Sequence, residues 1–323
     1  MAFTNETDIP LALAVWLVND DYDHNGMENY VSVTGLMKPL RHIILPRRIK
    51  GHVDQDLEDL IPSSLGNAIH DSIEKAWVKN HTKNLKKLGY PEDVIARILV
   101  NATPEEIAAV NDPVLVFIEQ RAIKSFKGWH IGGKFDMVAD GIVMDNKSTT
   151  AYTWVHGGRD EDYKLQGSIY KWLNPDKIFH DFIRINFIFT DWQRAQARQN
   201  PNYPQSRLRY KDIPLMTHEE TELWIGRKIQ LVEKFMDAPE TEIPECTEEE
   251  LWMSDPQFKF YLKEETFKTG GKSTKNCDSM SEALEYQASK GGRGLIVTVP
   301  GEPKRCGYCN VFDACTQKDK YFP

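Results

Sequence analysis

Alternating hydrophobic and polar residues in the middle of the chain predict a run of β-strands. The stretches 113–126, 128–139 and 142–149 are rich in β-branched and aromatic residues, and Asp140-Gly141 is a dipeptide typical of a two-residue hairpin turn. The apolar run 182–190 predicts a further, buried strand. We therefore expect three consecutive antiparallel strands, with the hairpin as the second and third.

Hydrophobic residues at helical spacing predict helices on either side of these strands. Helices are expected from Ser63-Ser64 onward, over 160–173 and over 217–237, and the polar stretch 80–112 is expected to form a helical side lobe. The residues predicted to face inward are Leu65, Ile69, Ile73, Ala76 and Trp77 on the first helix, and Leu223, Trp224, Leu231 and Phe235 on the third. This order of elements predicts an α/β fold in which helices flank a mixed β-sheet.

The chain has 323 residues, which allows one large domain or two small ones. We expect an N-terminal helical and basic segment at 1–60, a core with the side lobe at 61–240, and a C-terminal lobe at 241–323 with a small β-β-α-β insert at 255–300. No apolar stretch is typical of a signal peptide or a membrane span. We therefore expect a cytoplasmic protein with no membrane partner.

The net charge of −8 means that any contact with nucleic acid must come from local basic patches. One patch is a cluster that could contact phosphates or form a solvated helix face, namely Lys38, Arg41, Arg47, Arg48 and Lys50. A second lies in the Pro-broken stretch 192–212, where basic residues stand between Trp192, Tyr203 and Tyr210. That pattern suits either a single-stranded nucleic acid or a mobile loop.

The predicted hairpin carries a group of charged residues on one face. A two-residue turn at 140–141 would place Asp136 directly opposite Asp145, and the period of two would place Lys147 on the same face. Because facing carboxylates repel, such a pair indicates a divalent cation between them, and the lysine could orient a water or stabilise a charged transition state. Glu119 on the preceding strand is expected to face the same site; the alternative is an exposed hairpin with scattered charges.

Two helices carry polar residues that could join this site. His70 lies at the edge of the apolar stripe of its helix, and Gln166 and Tyr170 are four residues apart and share a helical face. A lone histidine at such a position is more often a structural residue than a ligand, and partly buried structural roles are the alternative for Gln166 and Tyr170.

The five cysteines all follow residue 245, and their odd number argues against a disulfide framework. Cys306, Cys309 and Cys315 form a C-x2-C-x5-C cluster, which favours a metal. Three thiolates need a fourth ligand to complete either a zinc site or a [4Fe-4S] cluster. Cys246 and Cys277 are the candidates, and we prefer Cys246 because it follows a helix in a Pro-Glu-Cys loop.

Taken in order, these residues resemble the motifs of the PD-(D/E)XK nuclease superfamily and its RecB-like branch. The branch includes phage-encoded exonucleases and CRISPR-associated RecB-like nucleases. The resemblance covers most of the chain from about residue 30. It rests on Gly66-x3-His70, Glu119, Gly133-x2-Asp136, Asp145-Asn146-Lys147, Gln166-x3-Tyr170 and the C-terminal cysteines.

The resemblance implies a restriction-endonuclease-like core with a cysteine-clipped C-terminal lobe, and a role for each residue. Mg²⁺ or Mn²⁺ would be bound by His70, Asp136, Asp145 and the backbone carbonyl of Asn146. Lys147 would assist the attacking water, and Gln166 and Tyr170 would position the active site or the DNA. Many members of the branch place the first cluster cysteine in the region that corresponds to about 37–40, where this chain has none.

The function that the resemblance implies is a metal-dependent DNA exonuclease, phage-encoded and active in end resection for recombination. Its partners would be linear DNA ends, double- or single-stranded, and a single-strand annealing protein in the host cytoplasm. The alternatives are a CRISPR-associated nuclease that processes spacers and a non-catalytic DNA-binding subunit that retains the fold.

Overall fold

The computed structural model describes residues 3–19, 26–49 and 55–322. The strands are β1 (Phe3–Thr4), β2 (Tyr30–Ser32), β3 (Gln55–Asp56), β4 (Ile98–Val100), β5 (Val114–Phe126), β6 (Trp129–Ala139), β7 (Ile142–Thr149), β8 (Phe182–Phe189), β9 (Leu208–Pro214), β10 (Gln257–Tyr261), β11 (Lys275–Cys277) and β12 (Leu295–Val299). The α-helices are α1 (Leu11–Leu17), α2 (Val33–Leu36), α3 (Leu40–Arg48), α4 (Ile61–Lys87), α5 (Glu92–Arg97), α6 (Pro104–Ala108), α7 (Ala151–His156), α8 (Asp160–Leu173), α9 (Arg194–Gln199), α10 (His218–Phe235), α11 (Glu264–Lys268) and α12 (Met280–Ser289). Within these ranges, no helix combines the length and the apolar character needed to cross a membrane.

The chain divides into two compact units. One, the core unit, comprises the described residues of 1–38 and 52–231, and the other, the C-terminal unit, comprises those of 39–51 and 232–323. The boundary falls inside α10. Residues 39–51, expected to belong to an N-terminal segment, are thus part of the same unit as the C-terminal cysteines.

The core unit contains a mixed sheet, and the predicted α/β class is confirmed. In the described residues the sheet has seven strands, in the order β4-β5-β6-β7-β8-β9 with β2 paired to β6. The ladders β5–β6, β6–β7 and β8–β9 are antiparallel, whereas β4–β5, β7–β8 and β2–β6 are parallel. The connection between β7 and β8 passes through α7 and α8, as a parallel pair requires.

The predicted hairpin register is confirmed where the strands pair. Val138 pairs with Val143 and Ala139 with Ile142, so that Asp140 and Gly141 form the turn, with φ angles of 47° and 76°. Two successive positive φ angles are typical of the tight hairpin turn that Asp-Gly favours. The ladder ends with the pair Met137–Met144. The next pair would have been Asp136 on β6 with Asp145 on β7, and it does not form.

Beyond this point β7 has no ladder with β6, whereas its other edge pairs with β8 throughout, from Val143↔Ile183 to Thr149↔Phe189. The same edge of β6 is next occupied by β2, which pairs with 130–132. The segment 133–136 therefore has no strand partner on this edge among the described residues. We call this opening, between β2 and β7 along β6, the fork.

Apolar residues of α8 and the central strands form the core behind the fork. Phe135, Val138, Val143 and Ile183 are fully buried on the strands, and Ile169 is fully buried on α8. The strand predicted from the apolar run 182–190 is confirmed, and buried and half-buried positions alternate along it with the strand period of two.

The inward faces predicted for two helices differ from those observed. Leu65 on α4 is 52% exposed, because the same end of α4 turns Ser64 and His70 toward a polar cleft rather than toward a core. On α10, Ile225 and Ile229 are buried, whereas Leu223 is 55% exposed. Both sets of α10 positions recur at helical spacing, so periodicity alone does not select the buried face.

Two segments that the sequence assigned to a lobe and a loop contain strands of the sheet. Residues 98–100 form β4 inside the predicted helical lobe and pair with β5. The stretch 192–212 contains α9 and most of β9, which pairs with β8 at the sheet edge. Tyr203, predicted as a nucleic-acid contact, is buried and its hydroxyl accepts a hydrogen bond from the Gln193 amide at 3.0 Å.

The C-terminal unit contains its own three-stranded sheet, in the order β11-β10-β12. The insert holds the expected strands and helix α12, together with the short helix α11 that the sequence pattern did not indicate. The expected basic patch is not a uniform solvated face. Arg41 is buried and Arg48 donates to the Met236 carbonyl at 2.9 Å, while Lys50 lies outside the described residues.

Two glycines of the motifs named above should respond to substitution in opposite directions. A Cβ on Gly133 would lie 2.6 Å from Val33 Cγ2 and 2.9 Å from Tyr170 Cε1, so that Gly133→Ala should destabilise the fold by about 1–3 kcal/mol. A Cβ on Gly66 would meet Ser148 Oγ at 3.7 Å, an ordinary contact, so that Gly66→Ala in mid-helix should stabilise it by up to about 1 kcal/mol.

Urea denaturation of the two variants and the wild type measures both effects. A Gly133→Ala variant as stable as the wild type would contradict the close packing of α2 and α8 on β6.

Candidate metal centre

The fork brings side chains of α4, α8 and three strands into one open cleft. The predicted site residues that line it are His70, Glu119, Asp136, Asp145, Lys147, Gln166 and Tyr170. Asn146 lies directly behind it, and its backbone carbonyl contacts His70. The structure thus brings together every residue predicted for this site, and their chemical roles stay predictions.

Asp136 and Asp145 lie where β6 and β7 separate. Asp136 Oδ2 accepts a hydrogen bond of 3.0 Å from the Asn146 amide, a group that a continued ladder would have turned toward the backbone of β6. Asp145 is buried, with 2% of its side chain exposed, and Lys147 Nζ lies 2.6 Å from its Oδ2. Each carboxylate therefore has its own partner instead of facing the other across a ladder.

His70 joins the site from α4. Its Nε2 lies 2.8 Å from the Asn146 carbonyl oxygen and its Nδ1 lies 3.2 Å from Asp136 Oδ2. The ring thus bridges two of the oxygens that the resemblance assigns, with His70 itself, to one cation. Because α4 is 27 residues long and begins at Ile61, the histidine sits in its third turn, on a rigid element.

Glu119 joins the site through an unusual backbone conformation. Its φ is 52°, in the left-handed region, although it lies inside the 13-residue strand β5. The neighbours Ile118 and Gln120 pair with Met137 and Phe135, but no pair forms between Glu119 and Asp136. A left-handed non-glycine residue costs of the order of 1–3 kcal/mol, and such strain is concentrated at functional sites.

The ligand atoms of three residues lie within 4.8 Å of one another, namely those of His70, Glu119 and Asp136. Among the described residues this is the group of histidine, cysteine and acidic side chains that is compact enough to share one ion. Asp145 lies outside it, next to Lys147. The compact set therefore includes Glu119, which the sequence placed at the site without assigning it to the metal.

The electrostatics of the cleft favour a cation. Burial, and then the neighbouring Asp145 carboxylate, raise the pKa of Asp136 to about 6. In the part of the chain that the structure describes, Asp145 Oδ2 has no aligned hydrogen bond, although Lys147 is close. The carboxylates and the backbone carbonyl are oxygen ligands that suit Mg²⁺ or Mn²⁺, whereas the imidazole is a donor more typical of transition metals. The oxygen donors therefore fit the predicted ion.

Lys147 remains positively charged in this cleft. Burial lowers its pKa, but the Asp145 carboxylate raises it further, and the net effect is a raised pKa. The ammonium group is therefore a hydrogen-bond donor at neutral pH, which excludes Lys147 as a general base in this state.

Gln166 and Tyr170 connect α8 to the fork. Gln166 Nε2 donates to the Tyr170 hydroxyl at 3.3 Å, and that hydroxyl donates to the Lys134 carbonyl of β6 at 3.1 Å. Burial, and then Asp145, raise the pKa of Tyr170, so the phenol stays neutral. Both side chains are buried, and they hold the cleft wall in place rather than reaching into solvent.

A second cluster of possible ligands lies within the C-terminal unit. One cavity there is lined by the four predicted cysteines Cys246, Cys306, Cys309 and Cys315. Cys277 lies elsewhere, buried in β11, which supports Cys246 over Cys277 as a neighbour of the cluster. Burial, and then Glu250 and Cys315, raise the pKa of the Cys246 thiol to about 12.

Two residues of α3 that the sequence did not connect with the cysteines line the same cavity. Arg41 Nη1 donates to Cys315 Sγ at 3.4 Å, and His42 Nε2 lies 3.4 Å from Cys309 Sγ. One indication of such a neighbour was present in the sequence. The resembled branch places a cluster cysteine in the region that corresponds to about 37–40, and this region ends two positions before His42. Soft sulfur and imidazole donors of this kind fit Zn²⁺ or an iron–sulfur cluster.

No protein-family model matches the chain, and no curated protein matches it. Among solved structures, it is similar to one titled "Crystal structure of SSO0001", with a TM-score of 0.40 and 16% sequence identity. The similarity covers 67% of this chain and 80% of that one. A likeness of this size identifies neither a family nor a function, so the function has to be inferred from the cleft.

The raised pKa of Asp136 gives a prediction about stability and pH. The folded state binds this proton more tightly than the unfolded state, so the carboxyl contributes stability below about pH 4 that is lost as pH rises through about 6. Asp136→Asn should therefore be about 1–3 kcal/mol more stable than the wild type at pH 7.5 in EDTA. Thermal melts with and without Mn²⁺ should also show that the stabilisation by Mn²⁺ is lost.

Asp140→Asn, in the exposed hairpin turn, is the control and should change neither quantity. If Asp136→Asn gained no stability in EDTA and kept the full shift with Mn²⁺, Asp136 would not be a ligand.

The buried arginine of α3 gives a second prediction. Arg41 forms an ion pair with Glu240 and donates to the Ile243 carbonyl at 2.9 Å. Arg41→Ala removes the cationic partner of Glu240, which keeps only its Thr316 donors, and removes the guanidinium donor to the Ile243 carbonyl. The loss should destabilise the C-terminal unit by about 3–5 kcal/mol. Hydrogen exchange measured by mass spectrometry should locate the loss at 40–48 and 240–246.

Arg97→Ala is the control, because it removes an exposed ion pair with Asp112 and should cost less than about 1 kcal/mol. If Arg41→Ala and Arg97→Ala destabilised the protein equally, the structural role of Arg41 would be refuted.

Proposed function

We propose that this protein is a metal-dependent DNA exonuclease of the PD-(D/E)XK superfamily, in its RecB-like branch. The observation that supports the proposal is the compact group of His70, Glu119 and Asp136, with the Asp145–Lys147 ion pair beside it in an open cleft. The order of the motifs along the chain, given above, supports the same assignment.

In this proposal His70, Asp136 and the Asn146 carbonyl hold the ion, and Glu119 and Asp145 complete its surroundings. When bound, Mg²⁺ or Mn²⁺ supplies Lewis acidity toward a phosphoryl oxygen and lowers the pKa of a bound water. The residues themselves contribute position. Asp136 is fixed by the Asn146 amide, and His70 is fixed on α4 by the Asn146 carbonyl.

Lys147 acts as a fixed positive charge. Its ammonium group orients the attacking water or donates to a non-bridging oxygen, on which negative charge accumulates in the transition state. The Asp145 carboxylate holds the ammonium at 2.6 Å and keeps it protonated. Because protonated Lys147 accepts no proton, the proton of the water leaves to another acceptor, for which the cleft offers the carboxylates.

The DNA backbone needs positive charge at the cleft, since the acidic residues alone would repel phosphates. Arg121 on β5 and Lys134 on β6 line the cleft, and Lys134 Nζ lies 2.5 Å from Glu119 Oε2. These two side chains provide local contacts in a chain of net charge −8. On the resemblance to phage-encoded exonucleases, we extend the proposal to linear DNA ends, recombination, the host cytoplasm and a single-strand annealing partner.

Nuclease assays with Mg²⁺ or Mn²⁺ test the proposal directly. Linear DNA should be degraded from its ends while covalently closed circles remain intact. Lys147→Ala should lower the rate by about 10²–10³-fold, as the loss of one transition-state donor does. Lys86→Ala, which removes an exposed pair with Glu92 at the end of α4, is the matched control and should leave the rate unchanged.

If linear DNA is not degraded with either metal, the exonuclease proposal fails. Metal-independent DNA binding without cleavage would then identify a non-catalytic DNA-binding subunit, and cleavage of circles would identify an endonuclease.

A further inference from the structure

The core unit has a further cavity, lined by α7, by the segment 201–205 and by β9. Its volume is about 410 Å³, within the range of roughly 300–1,000 Å³ that is typical of ligand sites in proteins. Its lining includes an indole, a phenol, two side-chain amides and one guanidinium, which belong to Trp154, Tyr203, Asn202, Gln205 and Arg209. In the described ranges no acidic side chain lines it. The lining therefore favours a flat, polar ligand with negative charge.

Trp154 packs on the aromatic surface of β8. Its ring meets those of Phe187 and Phe189 edge to face, with centroids 5.6 Å and 5.9 Å away. The guanidinium carbon of Arg209 lies 5.3 Å from the centroid of the indole, which is the distance of a cation–π pair. Among the described residues the indole nitrogen of Trp154 donates no hydrogen bond, whereas that of Trp192 donates to a backbone carbonyl at 2.7 Å. Packing thus orients the indole while its polar edge has no protein partner.

Arg209 supplies the positive charge of the cavity. It is exposed on β9, the last strand of the core sheet. In the part of the chain that the structure describes it forms no ion pair, whereas Lys211, two positions further along the same strand, is paired with Asp160. A guanidinium that lies on an aromatic ring and has no carboxylate partner is a typical contact for the phosphates and bases of nucleic acids.

The cavity and the candidate metal centre lie on the same face of the sheet. Lys147 is paired with Phe187 on the next strand, and Phe187 is paired with Arg209. Paired residues point to the same face, and two strand spacings of about 4.8 Å separate the backbones of Lys147 and Arg209 by about 10 Å. Trp154 therefore packs on the residue that stands between the lysine of the metal centre and the cationic edge strand. A nucleic-acid strand that extends from the metal centre toward β9 reaches this cavity.

The ligand that suits the cavity is an unpaired base with its phosphate. Stacking on an indole needs a free base face, and in a duplex the bases are stacked on one another and paired. The amides of Asn202 and Gln205 have the donors and acceptors that match a base edge, and the guanidinium of Arg209 matches a phosphate. A duplex offers phosphates to Arg209 but no base to the cavity.

We propose that the cavity of Trp154 and Arg209 binds an unpaired base of a DNA single strand and gives the protein a preference for single-stranded ends over blunt duplex ends. Trp154 stacks on the base, and Arg209 contacts the adjacent phosphate. The choice of DNA rests on the proposed nuclease function, whereas binding is measured without cleavage. Of the two residues, only Arg209 belongs to the stretch 192–212 in which the sequence indicated a nucleic-acid contact.

The test measures binding of the full chain, in EDTA, to a fluorescein-labelled single-stranded oligothymidylate and to a blunt duplex of the same length. Trp154→Leu keeps an apolar side chain against β8 and should weaken single-strand binding by about 5–100-fold, as the loss of one stacked base does. Trp154→Phe should keep most of the affinity. Arg209→Gln, an exposed change, should lower the slope of log affinity against log salt by about 0.7, the value for one phosphate contact with a single strand.

Two matched controls lie in the core unit. Trp224→Leu removes another half-buried indole with a cation near its ring, that of Lys228 at 5.9 Å. Lys86→Gln removes one exposed positive charge. Both should bind the single strand as the wild type does, and all variants should bind the duplex equally.

The proposal is overturned if Trp154→Leu or Arg209→Gln binds single strands as the wild type does, or if either weakens duplex binding to the same extent. It is also overturned if thymidine monophosphate competes as well as the oligonucleotide, because the cavity would then belong to free nucleotides. Single-strand binding that depends on both residues, in a protein that degrades no DNA, would support the cavity and refute the nuclease. Degradation of linear DNA with unchanged binding by the variants would do the reverse.

Discussion

The separation of β6 and β7 at Asp136 and Asp145 is the constraint on which the site depends. Continued pairing would press two carboxylates together at the spacing of directly opposed residues, about 4.5–5.5 Å between Cβ atoms, in a buried environment. Instead the β6–β7 ladder stops at Met137 and Met144, while the other edge of β7 stays paired with β8. The cleft lies at the gap between β6 and β7, where the two carboxylates avoid direct opposition.

The conflict is resolved by giving each acid a separate partner. Asp136 receives the Asn146 amide and the His70 ring, while Asp145 receives Lys147. The ligand atoms of His70, Glu119 and Asp136 thus lie within 4.8 Å of one another. In the proposed function such a preorganised group would bind a cation at little cost in conformational entropy.

The sequence was informative where local rules determine the structure. The Asp-Gly turn set the hairpin register, and period two placed Lys147 beside Asp145, because both rules act over a few residues. It was uninformative where burial depends on distant partners. Leu223 and Ile225 both fit a helical stripe, and only tertiary packing selects Ile225. His42 carried no local signal, since its neighbour Cys309 lies 267 positions away.

Helix α3 also constrains the order of folding during synthesis, because it is made long before the residues that it contacts. It is synthesised early, yet Arg41 meets Glu240 only 199 positions later, and the cysteines follow later still. Before those residues are synthesised, the apolar side chains of α3 lack the rest of the C-terminal unit to pack against. These side chains, which are buried in the folded unit, then form an exposed, aggregation-prone surface on the nascent chain; they are Ile43, Ile44 and Leu45. The C-terminal unit therefore cannot form until residues 232–323 have been synthesised, and a chain that stops before the last cysteine leaves that helix exposed to aggregation or proteolysis.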